Sequence, residues 1–157
     1  MDQKERKIVL RMISYGVYIL TSKIGSEVSA ATVTWVSQTS FEPPMLSVCI
    51  KRDSGSYKVI KERGEFLLHM LGENQKELAA TFLKPSEVKK DRINGEKYEI
   101  KNDLPLITAT PAYIRCDVLE IIEKGDHPVF LAEVIEVKVK EDVVPLELRK
   151  TGWSYGG

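Results

Sequence analysis

Apolar residues recur at Ile8, Val9, Met12 and Ile13. That spacing predicts a helix over residues 4–13, ended by Gly16. A short β-rich run follows over residues 16–22, with a hairpin turn around Gly25. The next strand, residues 28–35, departs from ordinary alternation. Ser29, Ala31, Val33 and Trp35 share one face, and Ala30, Thr32 and Thr34 share the other. Neither face is purely apolar. Pro43 and Pro44 break the ladder. Over residues 45–51 the alternation is clean: Leu46, Val48 and Ile50 form a core face, opposite Ser47, Cys49 and Lys51.

Ser54 caps a short helix that runs to Arg63 and closes at Gly64. Residues 65–71 form a strand with Phe66, Leu68 and Met70 on one face. Asn74 and Glu77 have capping-box spacing for a helix through Phe82, with Leu78 and Phe82 one turn apart. Residues 84–101 are charged, contain Pro85 and Gly95, and read as an irregular surface flap. Two long strands, 113–123 and 127–140, meet at a hairpin whose Gly125 supplies a positive φ. The tail, 146–157, ends in Thr-Gly-Trp-Ser-Tyr-Gly-Gly. Strands and helices do not alternate, and the hairpin links predict a mainly β, mostly antiparallel barrel with peripheral helices.

Composition narrows the function classes. At 157 residues, one domain over 1–157 is expected. Lysine plus arginine equals aspartate plus glutamate, 23 each, so bulk charge offers no attraction to nucleic acid or an anionic membrane. No apolar run approaches the roughly 20 residues of a membrane span. The opening residues lack the pattern of a signal peptide. Cys49 and Cys116 fit no metal spacing, and two reduced thiols suit a cytoplasmic protein.

Candidate chemistry gathers in residues 28–56. Lys51 and Arg52 precede Ser54-Gly55-Ser56 at a helix start, where free N–H groups and the helix dipole favour an anion such as a phosphate. The same residues also suit an ordinary surface cap. The hydroxyl-rich strand with Trp35 could meet the polar edge of a planar heterocycle, or be a solvated edge strand. His127, after Gly125-Asp126, can donate a hydrogen bond near neutral pH; a solvated turn histidine is the plainer reading. Cys49 lies on the polar face with Ser47 and Lys51, though a lone strand cysteine commonly packs as a small core residue. Trp153 and Tyr155 form either a loose tail or a lid.

Three segments together, ISYGVYILTSK, SAATVTWVSQTSFEPPMLSVCIKRDSGS and GDHPVFLAEVIEV, resemble the flavin reductase-like family of FMN-binding split barrels. The likeness is greatest to flavoredoxin and to the flavoprotein domain of high-molecular-weight rubredoxins, whose flavin domains end in a similar Trp-x-Tyr-Gly-Gly tail. The four cysteines of a rubredoxin iron site are absent. The resemblance implies a six-stranded antiparallel split barrel of Greek-key type, working as a homodimer with FMN near the subunit interface. It implies that Ala31, Thr32, Val33, Thr34 and Trp35 run along the isoalloxazine, with Ser47, Cys49 and Ile50 close to the ring. Lys51, Ser54 and Ser56 would hold the phosphate, helped by Lys89 or Lys90 of the flap. His127 would stand where a nicotinamide docks, with Cys49 as the second candidate catalytic residue, and Trp153 would cover the site. The implied activity takes hydride from NADH or NADPH and passes electrons to a rubredoxin-like protein, free flavin or ferric iron. The alternative is a non-enzymatic electron shuttle between partner proteins, with no productive nicotinamide site.

Overall fold

The computed structural model describes residues 1–157. Eleven strands and four short helices follow in order. They are α1 (Gln3–Leu10), β1 (Tyr18–Ile24), β2 (Glu27–Val33), β3 (Val36–Ser40), β4 (Met45–Cys49), α2 (Gly55–Arg63) and β5 (Glu65–Met70). Then come α3 (Lys76–Thr81), β6 (Val88–Lys89), β7 (Arg92–Ile93), β8 (Glu96–Lys101), β9 (Leu104–Ile107), β10 (Ala112–Ile122), β11 (Val129–Val139) and α4 (Leu148–Thr151).

The main sheet has seven strands in the order β2-β1-β5-β10-β11-β4-β3, every pair antiparallel. Its two edge strands, β2 and β3, are separated in sequence by Thr34 and Trp35 alone. A flat sheet of seven strands would hold its edges about 29 Å apart. Three residue steps reach about 11 Å at most. The sheet must therefore curl until its edges nearly meet, and Cys49 N–H, donating to Trp35 O at 2.9 Å, carries the β3–β4 ladder back to the crossing. The strand over 28–35 thus ends early, and the chain crosses to the other edge as β3.

Curling encloses a core of Leu20, Leu46, Val48, Phe66, Leu68 and Phe130, as the alternation of β4 and β5 predicts. Ile19, next to Leu20, points the other way into a second core with Ala30, Phe82, Ile107 and Leu146. β1 is thus buried on both faces. Ser54 accepts from Tyr57 N–H and caps α2, and Gly64 closes it at φ 76°.

Three expectations are corrected. The Asn74–Glu77 capping box does not form. The residue before α3 is Gln75, whose side chain accepts from Gly72 N–H and donates to Ala109 O instead. The flap is not irregular: β6 to β9 make a four-stranded antiparallel sheet. Its turns sit at Lys90-Asp91, Asn94-Gly95 and Asn102-Asp103, with positive φ at every one of these residues but Asp91, and Asn-Gly is a hairpin signal that the charge of the segment masked. The helix over 4–13 stops at Leu10 and buries no residue, because its apolar stripe finds no surface of this chain to cover.

Past β11 the chain returns along the ends of β5 and β1. Leu146 N–H donates to Leu71 O, Val17 N–H to Leu146 O, and Leu148 N–H to Tyr15 O, each at 2.9 Å. This pairing carries the tail back to Trp35.

Candidate functional site

A cavity of about 1000 Å³ opens between β2, the start of α2, residues 82–86 and the tail. That is the upper end of the usual size of a small-molecule site, ~300–1,000 Å³. Ala31, Thr32, Val33, Thr34 and Trp35 all line it, as do Cys49, Ile50, Lys51, Ser54, Ser56, His127 and Trp153.

β2 has no neighbouring strand on its outer side, and residues 79–86 occupy that edge. Thr32 N–H donates to Phe82 O at 3.1 Å, and Thr32 Oγ1 donates to Ala79 O at 2.6 Å. Ser86 Oγ accepts from Ala30 N–H at 2.8 Å and donates to Ala30 O at 3.1 Å. One serine thereby imitates a strand partner and fixes the cavity wall. Along this wall and its continuation, Ser29 Oγ, Thr34 Oγ1 and Trp35 Nε1 are buried with no hydrogen-bond partner. A buried unpaired polar atom costs about 1–3 kcal/mol. Three of them on one cavity fit a ligand with a polar edge.

The second wall is the N-terminus of α2. Gly55 and Ser56 are its first residues, and their N–H groups have no acceptor within the chain. Ser54 Oγ donates to Lys51 O at 2.7 Å while accepting from Tyr57 N–H at 3.2 Å. Lys51 Nζ lies 3.1 Å from Asp53, exposed. Two free N–H groups, the buried Ser56 hydroxyl and a nearby ammonium form an anion cradle. Arg52 turns away to hold Glu123 O and Gly125 O at 3.1 and 3.2 Å. It fastens the β10–β11 hairpin to α2 and so brings His127 to the cavity.

His127 is the centre of an aromatic group. Its ring lies 4.7 Å from the Trp35 ring and 5.7 Å from that of Tyr155. Nδ1 is 2.8 Å from Asp126 Oδ1, and Nε2 is 2.6 Å from Tyr155 Oη. The carboxylate can only accept, so the neutral imidazole carries its proton on Nδ1, and Nε2 accepts from the tyrosine hydroxyl. The same contact holds Asp126 below the usual carboxylate range.

Some expected residues lie elsewhere. Ser47 shares the face of Cys49 but lies farther along β4, outside the cavity lining and in register with Ser37 and Leu131. Lys89 and Lys90 sit at the β6–β7 turn, with Lys89 paired to Glu87 at 2.8 Å. The flap lysine on the cavity is Lys84, because Pro85 and Ser86 turn the chain inward before the small sheet begins. Cys49 lines the cavity, but burial pushes its thiol up. That shift disfavours the thiolate, the form in which a cysteine is nucleophilic. Lys84 and Ser86 join the site without a local sequence signal, whereas Ser29 belongs to the hydroxyl-rich stretch and Tyr155 to the aromatic tail.

Residues 10–153 match the flavin reductase like domain family, and the chain belongs to that family. It is 30% identical over 138 residues to the reductase component of a 4-nitrophenol 4-monooxygenase/4-nitrocatechol 2-monooxygenase from Rhodococcus opacus, covering 88% of this chain and 73% of that one. It is 33% identical over 147 residues to diflavin flavoprotein A 1 of Synechocystis, covering 91% of this chain. There it spans 26% of the relative's length, about a quarter. The styrene monooxygenase flavin reductase of Pseudomonas putida S12 superposes with a TM-score of 0.76 at 24% identity, covering 93% of this chain and 91% of that one. That likeness shows the fold.

Proposed function

We propose that this member of the flavin reductase-like family binds FMN in the cavity, takes hydride from NADH or NADPH, and passes electrons to a rubredoxin-like protein, free flavin or ferric iron. The observation that carries this reading is the pairing of two complementary walls. One presents three unpartnered polar atoms along β2 and its continuation. The other presents free N–H groups and Ser56 at a helix start. A ring with a polar edge and a terminal phosphate satisfies both. Bound FMN would supply the acceptance of hydride and the onward transfer of electrons. The chain supplies the rest. Thr34 and Trp35 orient the ring edge, Gly55, Ser56 and Lys51 hold the phosphate, and Lys84 adds positive charge from the flap. Trp153, stacked under Lys76 Nζ at 5.6 Å from its ring, covers the cavity. His127 offers an imidazole to a donor ring.

Counting β2 and β3 as one strand bent at Thr34-Trp35 makes the barrel six-stranded, a Greek-key split barrel over residues 1–157. No helix is long and apolar enough to cross a membrane.

Anaerobic stopped-flow of the FMN-loaded protein with NADH and with NADPH tests the function. Bleaching on a catalytic timescale is expected, and its absence would leave only an electron shuttle. His127→Ala should slow the reduction several-fold while FMN stays bound, as expected for loss of one orienting contact of about 1 kcal/mol. Trp153→Ala should instead speed reoxidation by oxygen and leave the reductive half-reaction unchanged.

The proposed assembly is a homodimer. Ile135, Val137 and Val139 on β11, and Ile8, Val9, Met12 and Ile13 around α1, are exposed. Apolar groups left in such runs mark association surfaces. Light scattering of the flavin-loaded protein should give twice the 17.8 kDa chain mass. Val137→Glu should weaken the assembly, and a monomer at micromolar concentration with FMN tightly held would count against it.

A further inference from the structure

We propose that the tail segment 153–157 is a strap whose Tyr155 occupies the hydrogen-bonding position of His127, so that a donor ring must displace it to reach His127. The inference rests on the reading of His127 as the donor-side residue.

Residues 153–157 belong to no helix or strand, so side-chain and tertiary contacts hold them in place. Tyr155 Oη lies 2.6 Å from His127 Nε2, the only imidazole nitrogen not already committed to Asp126. The Tyr155 ring lies 5.4 Å from Trp35. Together Trp35, His127 and Tyr155 make a closed aromatic group at one end of the cavity. The next residues are clasped to α1. Arg11 Nε donates to Gly156 O at 2.9 Å. The backbone passes so close that a Cβ on Gly156 would meet Trp35 Cζ2 at 3.0 Å, and one on Gly157 would meet Lys7 O at 2.8 Å. Both glycines have positive φ, 93° and 95°. A side chain at either position would lift the strap.

A planar donor bearing an amide needs the same two things that Tyr155 takes. It needs the open face of the aromatic pair and a hydrogen-bonding partner at Nε2. Two groups cannot use one lone pair, so strap and donor compete. Tyr155 and the Arg11 clasp therefore set the apparent donor affinity and leave the chemical step untouched.

The test uses the FMN-loaded protein with Arg11→Ala and Tyr155→Phe. Stopped-flow with NADH should show the apparent donor Kd falling several-fold in both variants, with the limiting reduction rate of Arg11→Ala, a residue outside the cavity, changed less than twofold. A raised Kd would overturn the proposal, since the strap would then be a wall that binds the donor. An independent readout needs no donor. The chain has two histidines, and His69 is fully buried, so diethyl pyrocarbonate reaches His127 alone. Its modification, followed by peptide mass spectrometry, should run several-fold faster in Arg11→Ala than in the parent protein. An unchanged rate would overturn the strap itself. Faster modification with no reduction by NADH or NADPH in any variant would uphold the strap and sink the donor reading.

Discussion

Gly55→Asp is expected to lower FMN affinity at least tenfold while α2 stays folded. Gly55 is the first residue of α2, its φ is not positive, and a Cβ there meets nothing within 4 Å. The position therefore accepts a side chain without strain. An aspartate in the first turn also complements the helix dipole, so the helix is unharmed or slightly stabilised. The same carboxylate stands beside the N–H groups proposed to hold the phosphate. Two like charges about 5 Å apart near a protein surface repel by roughly 3 kcal/mol before salt screening. About half of that is already tenfold in affinity. Flavin fluorescence titration reads the affinity, and circular dichroism confirms the fold. Unchanged affinity with an intact fold would mean that the phosphate lies elsewhere. Replacing Ser54 and Ser56 together by Ala should also lower affinity at least tenfold, by loss of the charge-assisted bond of Ser56, about 1.5–3 kcal/mol, since the Ser54 hydroxyl is already given to Lys51 O. There Ser54→Ala also removes a cap worth about 1 kcal/mol, so the glycine variant is the cleaner test.

His69 by itself is expected to cost the protein about 3 kcal/mol of stability as pH falls from 6.5 to about 4. This residue of β5 is fully buried. Its Nδ1 lies 3.0 Å from Ile19 O, and its Nε2 accepts from Ile107 N–H at 3.1 Å. The ring thus ties β1 to β9, the main sheet to the small one, and does so as the neutral tautomer. Burial lowers its pKa from 6.5 to about 4, with Lys140 adding to the effect. Protonation would set an N–H against the Ile107 N–H. Between about pH 4 and 6.5 the unfolded chain therefore binds a proton that the native chain refuses. Stability is complete above 6.5 and drains away below it. Asp103, Glu123 and Glu136 are held below the usual carboxylate range, so their losses begin near the unfolded carboxylate pKa of about 4 and touch only the acid end of this window. Urea unfolding at about pH 7, about pH 5.5 and about pH 4.5 measures the slope. His69→Leu should flatten it and lower stability at neutral pH by roughly 2–5 kcal/mol, from two stranded backbone groups. An equally steep slope in that variant would assign the acid loss to other groups.

Local chemistry was legible wherever it is decided within a few residues. Ser54 and Gly64 mark the ends of α2 because capping needs only one turn of chain. The Leu46–Val48–Ile50 face, buried as alternation demands, needs only a period of two. Gly125, at φ 72°, marks the hairpin that carries His127. Asn94-Gly95 carried a comparable signal inside the flap, but the surrounding charges pointed to solvent and the small sheet went unread. Gln75 displaced the expected cap because Ala109, 34 residues away, offered its side chain a better partner.

By itself, then, the sequence determined the strands, the capped helix with its anion-binding start, and the hydroxyl-rich stretch that lines the cavity. Tertiary structure decided what meets there. The two-residue crossing at Thr34-Trp35 makes sense only once seven strands have curled far enough for β2 and β3 to be neighbours. Ser86 reaches Ala30 across 56 residues, and Tyr155 reaches His127 across 28. Such contacts leave no periodicity in the chain. They follow from sheet curvature and from which backbone edges remain unpaired after the strands have assembled, and both are properties of the whole sheet.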